Sequence, residues 1–258
     1  KKTEKRFQTN IKNVSFEEEF YDKVSEEQIT EKTFRDVETK VDRVIQKIIL
    51  YKDLNKLNYE EKGILSEFIA YQMIRTKETR YELKDTAKQF FEKYNDQMAP
   101  KLKKQVVESM KNESLREMHR GIVGKINEFE KRIRKMKWIL IINKSIFPFW
   151  TSDNPAIINN EINLFPHGNL GLECLGFEVH LPLNPQTLLI ICDPRTFVQE
   201  SSRKIIKDYR QVIREKSYQV NQSTRFIFSL DNKFDFVKMM VKNNPRIKDP
   251  NRRRVNIR

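Results

Sequence analysis

The sequence predicts an α+β fold: an N-terminal helical bundle packed against a small antiparallel or mixed sheet with one further helix. Three observations carry this. Apolar residues recur with a period near 3.6 through most of residues 25–137. At Trp138 that period gives way to an unbroken apolar run, Trp138-Ile139-Leu140-Ile141-Ile142, the pattern of a buried strand. Beyond it, short apolar runs bounded by Pro and Asn surround a single basic helix, so helices and strands are segregated along the chain.

Residues 1–24 read as an extended segment, in which Phe7, Ile11, Val14 and Phe16 alternate weakly. The helical part spans 25–137. Ser25 with Gln28 resembles a capping box. Val37, Val41, Val44, Ile45, Ile48 and Ile49 form a helical stripe. Asn58 is placed to cap the next helix, with Glu60 and Glu61 in its first turn. Ile64, Leu65, Phe68, Ile69, Tyr71 and Met73 make that helix the most apolar, hence the central one. Residues 83–98 continue helical, and Pro100 suits the first position of another helix. The last stripe runs through Ile122, Ile126, Phe129, Ile133 and Met136, with Lys131, Arg132, Arg134, Lys135 and Lys137 on its other face.

The β-rich part, 138–241, belongs to the same unit. Strands are expected at 138–142, 147–150, 173–181, 187–192 and 225–229, with a turn at 151–155 and a helix over 201–221. Pro155 drives Asn154 out of helical geometry. Residues 242–258 read as a basic tail.

The 258 residues carry a net charge of +14. Such a surplus favours polyanionic partners, nucleic acid first among them. A Lys-rich surface without a polyanion site is the plainer account. The polar, basic residues 1–10 give no signal peptide, and no run approaches the roughly 20 apolar residues of a membrane span. The expected location is cytoplasmic, without a membrane partner.

Several chemistries are excluded. Six glycines include no phosphate-binding loop. His119, His167 and His180 are too scattered for a zinc enzyme, and there is no nucleophile-elbow serine. Cys174 and Cys192 stand alone and are expected as thiols.

What remains is a carboxylate constellation at strand edges. Asp153 and Glu178 are candidate ligands for Mg²⁺ or Mn²⁺, which take oxygen donors. A metal so held activates water against a phosphodiester. His180, two residues from Glu178 and on the same strand face, is a candidate acid or base. Asp153 is equally a turn former, and Glu178 and His180 equally a solvated face. On the central helix, Gln72 and Arg75 are neighbours three residues apart, placed to steady a phosphate, or to brace helices if Arg75 pairs with Glu38. The helical basic residues Lys131, Arg132, Arg134 and Lys135, with the tail residues Arg252, Arg253 and Arg254, are candidate nucleic-acid contacts.

The ordered motifs resemble domain-of-unknown-function family 4238. The residues that carry the resemblance are Glu19-Phe20-Tyr21, Glu38, Phe68-Ile69-Ala70-Tyr71-Gln72-Met73-Ile74-Arg75-Thr76 and Trp138. Thr151-Ser152-Asp153-Asn154-Pro155 follows, then Leu181-Pro182-Leu183-Asn184-Pro185 preceded by Glu178, and Arg225-Phe226-Ile227-Phe228-Ser229 preceded by Asn221. The His-x-x-Pro segment with which the family usually begins is not in this chain. The resemblance implies no established activity; it implies that Gln72, Arg75, Asp153 and Glu178 are the positions to test. The expected function is a divalent-metal-dependent nuclease acting on DNA or RNA. A non-catalytic nucleic-acid-binding protein and a defence-associated protein-interaction module are the alternatives.

Overall fold

Val37, Val41, Val44 and Ile48 line one face of the first helix, and all four are buried, as their spacing predicts. In the computed structural model, which describes residues 29–74, 77–110, 121, 124–162, 171–249 and 252, this helix is α1, Ile29–Tyr51. The side chains of 29–35, 77–83 and 109 are not among those described, and the N-terminal segment 1–24 and the Ser25 cap lie outside the described residues.

α2, Tyr59–Ile74, starts at Asn58. The Asn58 side chain accepts the Glu61 amide at 2.8 Å, and the Glu61 carboxylate accepts the Asn58 amide at 2.9 Å, a reciprocal capping box. Glu61 also binds Lys47 at 2.8 Å and so ties α2 to α1. α3, Lys77–Tyr94, and α4, Pro100–Ser109, follow, the latter with Pro100 at its first turn as expected. α5, Ile126–Lys135, packs its buried Ile126 and Ile133 into the same core as α1 and α2.

Seven strands follow: β1 Lys137–Asn143, β2 Thr151–Ser152, β3 Ile157–Asn159, β4 Glu178–Asn184, β5 Thr187–Cys192, β6 Arg203–Ile206 and β7 Ile227–Phe228. Among the described residues two more helices follow, α6, Tyr209–Gln222, and α7, Asp235–Asn243. The main sheet is mixed, in the order β3-β4-β5-β1-β6, antiparallel except for the β1–β6 pair. β2 and β7 form a separate antiparallel ribbon. The fold is therefore α+β, as the sequence predicts.

β1 is apolar from Trp138 to Ile142 because both its faces are covered there. Trp138, Leu140 and Ile142 join Val179, Leu181, Leu189 and Ile191 against the helical bundle. Ile139 and Ile141 join Leu188, Cys192 and Val212 of α6 on the opposite face. Alternation along each strand sends successive residues to these two cores. The result is three layers: bundle, sheet, α6.

Some elements differ from expectation. Residues 148–150 are irregular, and the strand lies one step later at Thr151–Ser152, paired with β7. The strand expected at 173–181 begins at Glu178, because residues 171–176 are turn, with Gly176 at φ +75°. Residues 203–206, expected as helix, form β6, since Leu140 to Asn143 supply a parallel partner. The helix starts at Asp208, whose carboxylate accepts the Arg210 amide at 2.9 Å. Within the expected tail 242–258, Lys242 and Asn243 are the last residues of α7, and Pro245–Lys248 form a single 3₁₀ turn. Both cysteines are thiols, as expected, and burial first of all pushes that of Cys192 up to about 12.

Candidate functional site: the face covered by α6

Val179 and Leu181 of β4 face the bundle, so Glu178 and His180 face α6. α6 meets them with Val212, Glu215, Lys216, Gln219 and Val220, spaced at three and four residues and all buried. His180 is held between two carboxylates. Its Nδ1 lies 2.8 Å from Glu215 Oε2 and its Nε2 lies 2.6 Å from Glu178 Oε2. Each contact demands a donor on the ring, so both nitrogens carry hydrogen and the ring is an imidazolium. Burial alone would lower its pKa, but the charge of Glu215 and the hydrogen bonds to Glu178 and Glu215 outweigh that and raise it to about 9. Tyr218 stands edge-on to the ring at 5.5 Å and donates its hydroxyl to Glu161 at 2.9 Å. The trio Glu178–His180–Glu215 fastens β4 to α6.

The Thr151–Pro155 motif lies against the same helix. Asp153 uses both oxygens on backbone amides: Thr224 at 2.9 Å and Arg225 at 2.8 Å. Its own amide donates to Phe226 O at 3.2 Å. Ser152 Oγ lies 2.7 Å from Gln219 Oε1 and 2.9 Å from Asn154 O, its one proton shared between them. Gln219 donates to Pro155 O at 3.1 Å and Gln222 to Ile158 O at 2.9 Å. Asp153 thus ties its own turn to the segment between α6 and β7, 71 and 72 positions away, rather than capping amides within the turn.

Gln72 is buried on α2, on the bundle side of the sheet. Glu178 and His180 are on the α6 side, so the sheet separates them from Gln72. The carboxylate pair and the central-helix pair proposed from sequence therefore do not meet on one face: the two-residue period of β4, with Val179 and Leu181 committed to the bundle, turns Glu178 and His180 the other way. Arg75 lies outside the described residues. For Mg²⁺ or Mn²⁺ the donor chemistry fits poorly. Both Asp153 oxygens accept amide hydrogens, and Glu178 holds an imidazolium, whose charge repels a cation. Among the described residues, no group of three or more His, Cys, Asp or Glu is arranged to hold a metal ion.

The basic candidates divide. Lys131 and Lys135 are exposed. Arg132 pairs with Glu173 at 2.9 Å. Arg134 pairs with Glu130 at 3.0 Å and lies over the Tyr59 ring at 4.3 Å. Arg252 donates to the carbonyls of Asn221, Ser223, Ile247 and Asp249, pinning the chain to the end of α6 rather than reaching outward. Arg253 and Arg254 lie outside the described residues.

A different basic group forms where β1 and β6 end and α6 begins. Buried Asn143 shapes the loop after β1: its side chain donates to Phe147 O at 2.6 Å and accepts from Ser145 N at 2.9 Å. The loop holds Ile146 90% exposed and Phe147 37% exposed. Phe147 stands 6.0 Å from exposed Tyr209 in the first turn of α6. Lys144, whose amide donates to Ile206 O at 2.8 Å, and Lys207 flank the pair, both exposed. Arg210 is adjacent, with Asp208 at 2.8 Å offsetting its charge. Sequence reasoning passed over this group because its members come from two segments, 144–147 and 207–210, about 60 residues apart. The one local signal is Lys-Ser-Ile-Phe, an apolar pair directly after a buried strand with no periodicity to bury it.

The family described as "Protein of unknown function (DUF4238)" has a model that matches residues 1–233. No curated protein and no solved structure matches the chain. Among the described residues, no helix is long and apolar enough to cross a membrane.

Proposed function

We propose that this chain, which belongs to that family of proteins of unknown function, is a cytoplasmic nucleic-acid-binding protein that engages single strands at the end of α6. The carrying observation is the exposed Phe147–Tyr209 pair, centroids 6.0 Å apart, beside Lys144 and Lys207. Aromatic faces stack on bases of any sequence, and flanking lysines take the phosphates. The +14 net charge supplies long-range attraction. Asn143 holds the loop in its presenting shape, so little ordering accompanies binding.

The test is fluorescence anisotropy with labelled single- and double-stranded DNA and RNA at two ionic strengths. Single strands should bind more tightly, with affinity falling as salt rises. Tyr209→Ala should weaken binding by roughly tenfold or more, the loss of one stacked base. Lys144→Glu should flatten the salt dependence. Absence of salt-sensitive binding to any DNA or RNA overturns the proposal and favours the protein-interaction alternative.

A metal-dependent nuclease is the second reading. Its support is the Glu178 carboxylate at the edge of β4, whose side chain stays 17% exposed; a metal there would have to displace its contact with His180. Cleavage that requires Mg²⁺ or Mn²⁺, stops with EDTA and disappears in Glu178→Gln would establish it. Binding with no cleavage under any of these conditions leaves the binding protein.

A further inference from the structure

Next to Glu215 on α6 sits Lys216, which is only 4% exposed. Glu215 turns to His180, and among the described residues no carboxylate forms an ion pair with Lys216. Its ammonium instead lies over aromatic faces, 4.3 Å from the Trp150 ring centroid and 5.8 Å from that of Phe147. Trp150 is 1% exposed, and its indole N–H has no acceptor among the described residues. Phe234 and Phe236 stand 5.6 Å and 6.1 Å from the same indole. The acid felt by Lys216 is Asp231, whose carboxylate already accepts the Ser229 hydroxyl at 2.6 Å. Burial depresses the lysine's pKa, and Asp231 opposes this only in part.

The Trp150 N–H, walled by phenyl rings and given no acceptor among the described residues, is costly to leave as it is, and the Lys216 ammonium over the same indole has no carboxylate to meet its charge. An anion with several acceptor oxygens relieves both at once. We propose that Lys216 and the Trp150 N–H form a receptor for a phosphate group, entered past the half-exposed ring of Phe147. Phosphate is favoured over a monoanion because exposed Lys144, three residues before Phe147, and exposed Lys207, two before Tyr209, add positive charge on the approach to it. The group is carried either by a small molecule or by the end of a nucleic-acid strand. The receptor stands independently of stacking at Phe147 and Tyr209, since it needs no strand.

The test uses the whole chain with inorganic phosphate, against chloride at matched ionic strength, read by thermal unfolding and titration calorimetry. Saturating phosphate should raise Tm by at least about 2 °C. Lys216→Met, which keeps the apolar stem and removes a buried charge, should fold with an unchanged or higher Tm and lose the phosphate response. Trp150→Phe keeps a ring, drops the N–H and should weaken the phosphate Kd by about threefold or more; it carries the test by itself if Lys216→Met does not fold. Tighter binding of a 5′-phosphorylated oligonucleotide than of its 5′-hydroxyl counterpart, lost in Lys216→Met, assigns the group to a strand end. A phosphate response with no such difference assigns it to a small molecule. No Tm rise in the wild type, or an equal rise in both variants, overturns the receptor.

Discussion

The imidazolium clasped by Glu178 and Glu215 makes stability depend on pH in a direction opposite to that of an ordinary buried histidine. The perturbation is a rise in pH through the alkaline range. In the unfolded chain the ring titrates near 6.5; in the folded chain it titrates at about 9. Because the folded pKa is the higher, the native state holds the proton more tightly. The stabilisation is complete below about pH 6.5 and is lost progressively as pH rises through about 9. A difference of roughly 2.5 pH units at about 1.4 kcal/mol each amounts to about 3 kcal/mol, a large share of a domain's net stability. Urea unfolding followed by circular dichroism from about pH 6 to about pH 10 measures it. Glu215→Gln removes the largest favourable charge, so in that variant the loss should begin nearer neutrality. Comparing the two proteins at each pH cancels groups that titrate alike in both. A wild-type stability that stays flat over this window, or His180 ring resonances that titrate near their ordinary value, would refute the clasp.

Other expected outcomes follow from single contacts. Asp153→Ala leaves the Thr224 and Arg225 amides without their acceptor and should cost about 1–3 kcal/mol in urea unfolding; unchanged stability would return Asp153 to the candidate ligands. Gly176→Ala places a Cβ within 2.5 Å of Ile162 and asks Ala to hold φ +75°, so Tm should fall, by about 1–2 kcal/mol in stability. Asp193 is opposed by burial, but bonds from Thr196, Arg195 and Gly176 hold its pKa at about 2. Its contribution is therefore present above pH 3.8 and lost as pH falls toward 2, and Asp193→Asn should remove that acid-limb dependence. Arg252→Ala frees the carbonyls of Asn221 and Ser223, and amide exchange in the last turn of α6 should quicken about tenfold.

Local pattern accounts for much of what was legible in the chain. The stripe from Val37 to Ile48, the Asn58 cap and Pro100 at a helix start are decided by residues within one or two turns of each other, and all three stand in the structure. The run from Trp138 to Ile142 announced a strand covered on both faces, and β5 lies where its apolar run lies, at Thr187–Cys192. β3 and β6 were not legible. Each is a short segment with two adjacent isoleucines, too few residues to set a period of two, made into a strand by the partner beside it, β4 in one case and β1 in the other.

Segregation of helices from strands, the charge surplus and the shared face of Glu178 and His180 were determined by the sequence itself, because each is a property of spacing or composition. Which side of the sheet that face turns to was decided only by tertiary structure: Val179 and Leu181 were drawn to the larger apolar core, and α6 brought Glu215 to His180 from 35 positions away. The same packing spent Asp153 on two amides of the β7 approach and left Lys216 over Trp150 without a carboxylate. A residue's type states what bonds it can make. Which of them it makes depends on what long-range packing sets within about 3 Å of it, and no local pattern in the chain encodes that distance.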